Sequence, residues 1–208
     1  MKFTFSPPNQ LTFLRILLTP VFLAFLFSAD PVLRQLSLVV FILALLTDWY
    51  DGWVARRWGY VTRWGTFLDP LADKVVTSAA LIAFIYLDLV PPWTVWIIVV
   101  RDIAITLLRS YSEYKGKPFD TTRLAKTKTF LQFVLIYYVL LLYVGKDIEY
   151  FRSRYGDLID KLLDESLLYA SMVVIAAITL LTGVLYIIDN WKTVRELYGL
   201  SSRITESQ

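Results

Sequence analysis

Six apolar stretches, each near the ~20 residues that a helix needs to cross about 30 Å of hydrocarbon, occupy most of this 208-residue chain and leave it little choice of fold. They run roughly over 11–28, 34–56, 70–89, 92–112, 127–145 and 166–189. Pro7, Pro8, the Pro91-Pro92 pair and the glycine-containing stretches 57–66 and 113–122 punctuate them. With 57% hydrophobic residues and a mean hydropathy of +0.55, the chain is too apolar for an ordinary soluble domain. The pattern predicts an all-α integral membrane protein with six transmembrane helices. Residues 1–10 form a juxtamembrane arm, 11–190 the six-span domain and 191–208 a tail. The first apolar run is expected to be a span rather than a signal peptide, because Pro7-Pro8 precede it and Arg15 lies in its first turns. Residues 146–165 alternate charges with Tyr150, Phe151, Leu158, Ile159, Leu162 and Leu163, which suits a helix lying on the outer interface.

Basic residues set the orientation. With the N-terminus inside, fifteen of the 21 Lys and Arg fall at cytoplasmic ends and loops, among them Arg56, Arg57, Arg63, Lys74, Arg109, Lys126 and Lys128. Arg34, Lys146, Arg152, Arg154 and Lys161 remain outside, and Arg101 sits in mid-span. Both termini are therefore expected in the cytoplasm. The net charge of +3 and a pI near 9.0 require no nucleic acid, since a basic inner face suits anionic headgroups and phosphate-bearing substrates. Seven tryptophans, Trp49, Trp53, Trp58, Trp64, Trp93, Trp96 and Trp191, fall almost entirely at span ends, where indole rings favour the interface.

Against this apolar background, four aspartates stand at the cytoplasmic ends of the second and third spans. A carboxylate inside a bilayer is unfavourable by roughly 2.5–3.5 kcal/mol even on insertion scales, so four together need compensation. Asp48 and Asp51 are three residues apart and Asp69 and Asp73 four apart, so each pair stacks on one helix face. Two facing pairs make an oxygen-only cage. The chain has no His and no Cys, which leaves hard ions such as Mg²⁺ or Mn²⁺, and a cluster this dense suits two of them. The plainer alternative is that these residues cap helices at the interface. That reading fits one aspartate better than four in register with Gly52, Arg56 and Gly65.

The full pattern, D-x2-D-G-x2-A-R-x8-G-x3-D-x3-D from Asp48 to Asp73, resembles the signature of the CDP-alcohol phosphotransferase family and matches it at every fixed position. Members of that family are membrane enzymes that transfer a substituted phosphate from a CDP-linked donor to an alcohol and release CMP. The resemblance implies that Asp48, Asp51, Asp69 and Asp73 ligate two metal ions and that Asp73 is also the base for the acceptor hydroxyl. It implies that Gly52, Ala55, Arg56 and Gly65 shape the CDP pocket, and that the protein is a homodimer of the bacterial inner membrane. Within the family, Asp69-Pro70-Leu71-Ala72-Asp73-Lys74 is similar to the version in phosphatidylglycerophosphate synthases and cardiolipin synthases. Three further stretches lean to the former: Pro8-Asn9-Gln10-Leu11-Thr12 followed by Arg15, Arg101-Asp102 followed by Leu108-Arg109, and Lys126-Thr127-Lys128-Thr129 followed by Gln132.

The residues suit these roles physically. Gly52, four residues after Asp48, lets a nucleotide approach the helix backbone, and Ala55 keeps that surface shallow. Arg56 offers a permanently charged planar fork for a pyrophosphate; its other reading, shared more strongly by Arg57, is membrane anchoring. Arg109, Lys126 and Lys128, at the cytoplasmic ends of the fourth and fifth spans, are candidates for holding an acceptor's phosphate monoester. Arg101 admits two readings, an ion pair with a buried acid or a substrate ligand. The expected reaction joins CDP-diacylglycerol to sn-glycerol 3-phosphate. Phosphatidylglycerol as acceptor, giving cardiolipin, is the nearest alternative, and a cation transporter or channel built on the aspartates is the alternative of another class.

Overall fold

The computed structural model describes residues 7–58, 63–116, 119 and 123–197; within its helices, the side chains of 7–11, 48–49, 51–58, 63–68, 123, 192 and 196–197 are not described. Eight helices make up the described chain: α1 Pro7–Leu26, α2 Pro31–Trp58, α3 Arg63–Tyr86, α4 Pro92–Tyr114, α5 Arg123–Gly145, α6 Glu149–Leu162, α7 Glu165–Asp189 and α8 Trp191–Leu197. Each of the six expected spans coincides with one long helix, and α6 occupies the expected interfacial stretch. Helix α1 starts inside the stretch 1–10 read as an arm, and α8 occupies the first part of the tail.

Local chemistry explains the boundaries. Asp30 Oδ1 accepts the Val32 N–H at 2.8 Å and caps α2, with Pro31 at the first helical position, where no N–H is needed. Helix α3 closes with Asp88 in the left-handed region at φ 54°, the Leu89 N–H reaching the Phe84 carbonyl and the Asp88 N–H that of Ile85, both at 3.0 Å. Pro91 and Pro92 then launch α4. Asp164 caps α7 by accepting from the Ser166 and Leu167 amides.

Helix α1 packs on α2 and α3, α3 on α4, and α4 on α7, while α5 reaches α2, α3 and α7. The centre is aromatic and aliphatic. Phe22 of α1 meets Phe41 of α2 with ring centroids 5.1 Å apart, and Phe41 meets Tyr137 of α5 at 5.5 Å. Ala80, Ala83 and Phe84 of α3, Val95 and Ile98 of α4, Ile136 and Leu140 of α5, and Met172 of α7 complete this core. At the end away from the aspartates, Arg34 of α2 grips Asp147 after α5 through two bonds, Nε–Oδ2 at 2.8 Å and Nη2–Oδ1 at 2.7 Å. The residues expected outside thus meet one another.

Polarity is distributed the wrong way round for water. Large apolar side chains face outward, among them Val100, Phe130, Leu141, Leu181 and Ile188, whereas Arg15, Asp102, Lys128 and Gln132 are buried. By length and composition, Leu124–Gly145 and Glu165–Asp189 are apolar enough to cross a membrane. Thr12–Leu26 and Pro31–Thr47 are shorter apolar helices. Helix α4 is 23 residues long but carries Arg101 and Asp102 in its middle. The structure therefore bears out the all-helical class, and two of the six expected spans meet this criterion among the described residues.

Candidate active site

Of the eight motif residues, Asp69 and Asp73 are the two whose side chains fall among the described residues; those of Asp48, Asp51, Gly52, Ala55, Arg56 and Gly65 lie outside them, on helical backbone of α2 and α3. Asp69 and Asp73 are both partly exposed on α3, one turn apart, and Pro70 between them has no N–H to donate to the preceding turn. Helix α1 supports both. The Thr12 hydroxyl donates to Asp69 Oδ1, and Arg15 Nη1 donates to Asp73 Oδ1. Arg15 is fully buried, so its charge is held in place by surrounding protein rather than by solvent. Neither α1 residue was assigned a role from the sequence, although an arginine in the first turns of an apolar run was a signal.

The donor set suits an oxygen-seeking divalent ion. Partly exposed carboxylates at i and i+4 on α3, in a chain with neither His nor Cys, offer hard oxygen ligands and nothing softer. Among the described residues no cluster of three or more acidic or metal-ligating side chains occurs, since Asp48 and Asp51 lie outside that set.

Next to Asp73 in sequence, Lys74 leaves α3 on another face and enters a second polar centre. Its Nζ donates to Asp102 Oδ2 at 3.1 Å, while Lys128 Nζ donates to Asp102 Oδ1 at 2.5 Å and to Gln132 Oε1 at 2.7 Å. Arg101 Nη1 also reaches Asp102 Oδ1 at 3.1 Å, and its Nη2 reaches the Thr182 hydroxyl of α7 at 3.1 Å. One buried carboxylate thus serves three cations. Arg101 is the ion-pair partner of a buried acid, one of the two readings open to it, and it also faces a cavity.

That cavity, of about 550 Å³, is lined by Lys74, Arg101, Asp102, Ile105, Thr106, Arg109, Ala125, Lys126, Thr129 and Tyr186. Arg109 and Lys126, two of the three candidates for an acceptor's phosphate, lie on it together. Arg109 is half exposed and bonded at 2.9 Å to Glu113 one turn on, a surface pair of the kind that contributes little to stability. Lys128, the third candidate, is not on the lining. It is 1% exposed, with its ammonium committed to Asp102 and Gln132. Neither Tyr186 nor Thr182 carries a local sequence signal that would place it near this centre.

A pair of partly exposed carboxylates on α3 stands beside a cation-lined cavity in a helical chain with an apolar exterior, an arrangement that suits a membrane-associated protein binding anionic groups. The sequence model of the CDP-alcohol phosphatidyltransferase family matches residues 5–152, and the chain belongs to that family. It is therefore a phosphatidyltransferase, which sets aside the transporter alternative. Relatives named CDP-diacylglycerol–glycerol-3-phosphate 3-phosphatidyltransferase include one from Bacillus subtilis, 38% identical over 149 residues, covering 66% of this chain and 77% of its own length. One from Rickettsia bellii is 33% identical over 150 residues, covering 72% of this chain and 83% of the relative. A third, from Cereibacter sphaeroides, is 36% identical, covering 70% of this chain and 66% of the relative. The family generally works with a divalent metal.

Proposed function

We propose that this chain transfers the phosphatidyl group of CDP-diacylglycerol to sn-glycerol 3-phosphate, giving phosphatidylglycerophosphate and CMP. The observation that carries the acceptor assignment is the cavity that gathers Lys74, Arg101, Arg109 and Lys126 beside the helix bearing Asp69 and Asp73. Four cations around one wall match a phosphate monoester's two negative charges better than a phosphodiester's one. The names of the relatives agree.

In the proposed reaction an acceptor hydroxyl oxygen bonds to the phosphorus carrying diacylglycerol, the bond from that phosphorus to the CMP oxygen breaks, and the hydroxyl proton passes to Asp73. Asp48, Asp51, Asp69 and Asp73 would hold two ions, Mg²⁺ or Mn²⁺, which supply charge neutralisation and acidify the hydroxyl. Arg56 binds the pyrophosphate in its fork, and Gly52, Ala55 and Gly65 leave room for the nucleotide. Thr12 and Arg15 orient Asp69 and Asp73. Arg109 and Lys126 bind the acceptor's phosphate, and Lys128 stands behind them in the Asp102 network, fixing the wall.

The same proposal includes six spans, α1 to α5 and α7, with both termini and the aspartates on the cytoplasmic side of a bacterial inner membrane. It is supported by the match of six apolar stretches to six long helices, by the outward-facing apolar side chains and by the meeting of Arg34 with Asp147 at the opposite end. Acyl chains of the donor enter laterally between helices, and the protein works as a homodimer. The decisive experiment is an acceptor panel. Purified protein with CDP-diacylglycerol and Mg²⁺ should release CMP with glycerol 3-phosphate, and not with phosphatidylglycerol, inositol phosphate or serine. Preference for phosphatidylglycerol would make it a cardiolipin synthase instead.

A further inference from the structure

The family match ends at residue 152, yet α7, beyond it, forms part of the cation-lined cavity through Tyr186. The Tyr186 ring is held edge-on against Phe119, with centroids 5.6 Å apart and planes at 87°, and the residue is 3% exposed. Its hydroxyl is buried and makes no hydrogen bond to any described protein group. Buried phenols ordinarily find a partner, so a fixed one without a partner on a cavity wall points to a ligand.

Arg101, on the same cavity, carries a second such donor. Its two terminal nitrogens are taken by Asp102 and Thr182, while its buried Nε makes no hydrogen bond. The side chain can lie there because residue 183 is glycine. A Cβ at Gly183 would come within 2.9 Å of Arg101 Nε and 3.2 Å of its Cγ. The notch in α7 therefore sets where the guanidinium sits.

We infer that Tyr186 and Arg101 are specificity-determining residues of the acceptor site: the phenol and Nε donate to phosphate oxygens of the acceptor, alongside Arg109 and Lys126, and Gly183 positions Arg101 for that contact. The inference deepens the reading above and rests on its phosphate-bearing acceptor. A phosphate monoester presents three strong acceptor oxygens, more than two cations fill, so further fixed donors have a place. An acceptor without the phosphate would leave both buried donors unpaired, which is how a polar site rejects an analogue.

The test uses the full-length protein in lipid-containing micelles and compares wild type with Tyr186→Phe and Gly183→Ala. Binding of glycerol 3-phosphate and, separately, of inorganic phosphate is measured by titration calorimetry, with KM and kcat for both substrates. Loss of a bond to a charged group predicts that Tyr186→Phe weakens both ligands roughly tenfold to a hundredfold. The KM for CDP-diacylglycerol should barely change, so the loss is confined to the phosphate-bearing ligands. Gly183→Ala should act in the same direction by displacing Arg101. Unchanged inorganic phosphate binding in Tyr186→Phe overturns the inference, as does a parallel loss for donor and acceptor, which is what a packing role would give. If the wild type binds inorganic phosphate, loses it in Tyr186→Phe and does not use glycerol 3-phosphate, the phosphate site stands and the acceptor assignment falls.

Discussion

Replacing Asp102 by Asn isolates the charge that holds the interior together. Asp102 is 2% exposed and accepts from Lys128 at 2.5 Å and from Lys74 and Arg101 at 3.1 Å each. Asn keeps the shape and one acceptor oxygen. It removes the negative charge that these three cations share among the described residues and turns an NH₂ toward one of them. Lys128, itself 1% exposed, is left as a buried cation whose partners, Gln132 and the new amide, are both neutral. Removing one member of a buried pair is typically destabilising by about 3–5 kcal/mol, because the other charge stays desolvated. The expected loss is of that size, since Lys74, at 18% exposure, retains some access to solvent while Lys128 does not. Deleting the stranded cation as well, in Asp102→Asn with Lys128→Met, should recover part of the loss, with a coupling of about 1–3 kcal/mol between the two sites. Chemical denaturation in mixed micelles, followed by circular dichroism, reads both quantities. A single variant within about 0.5 kcal/mol of wild type, or a double variant that equals the sum of the singles, would refute the reasoning.

Asp48→Asn, Asp69→Asn and Asp73→Asn should each abolish CMP release from protein that is still folded in the membrane, and a chelator should do the same until Mg²⁺ is restored; a variant keeping more than about a tenth of wild-type turnover removes that residue from the proposed ligand set. Arg109→Gln and Lys126→Gln should raise the KM for glycerol 3-phosphate about tenfold or more, leaving the KM for CDP-diacylglycerol nearly unchanged. Equal effects on both substrates would refute a separate acceptor site. Arg15→Gln should lower kcat with little change in donor KM, because it releases Asp73 from its α1 partner, and Arg15→Lys should restore part of the rate; a pure stability defect with normal kcat would show Arg15 to be a packing residue. Reporter fusions should place both termini inside and the turns near residues 89 and 164 outside; termini on opposite sides of the membrane would end the six-span proposal.

The helices were legible because their signals are local. Length, apolar runs and the proline pairs delimit α1 to α5 and α7, and charge alternation marks α6. The direction of each charged side chain was only partly legible. Sequence position alone groups Lys126 and Lys128 as phosphate ligands, yet two residues along a helix turn about 200°, so both cannot face one cavity. Lys126 lines it and Lys128 points into the core. Arg101, Ile105 and Arg109, four residues apart, do share a face, and all three line the cavity. What a sequence read alone could not supply were the pairings between distant segments: Thr12 with Asp69, Arg15 with Asp73, Asp102 with Lys128, and Tyr186 with the cation-lined cavity. Nothing local marks Tyr186, one of 13 tyrosines, as different from the rest.

The separation of charge between the two polar centres has its own physical logic. Carboxylates for cations and bases for phosphates, set side by side in a low-dielectric interior, would pair with each other and quench both sites. Lys74 is where this would happen, since it directly follows Asp73. Asp102 takes its ammonium at 3.1 Å, on the side of α3 that faces α4, while Arg15 occupies Asp73 from α1. The two neighbours are thus held by partners on different helices, and the acidic and basic centres stay distinct within one turn of α3. Asp102 is outnumbered by the three cations it binds, so the wall keeps a surplus of positive charge that Asp102 alone does not neutralise. A phosphate arriving in the cavity would relieve that surplus. In the proposed reaction the buried aspartate is as necessary to acceptor binding as the cations that would touch the ligand, because without it Lys74 is left to turn back on Asp73.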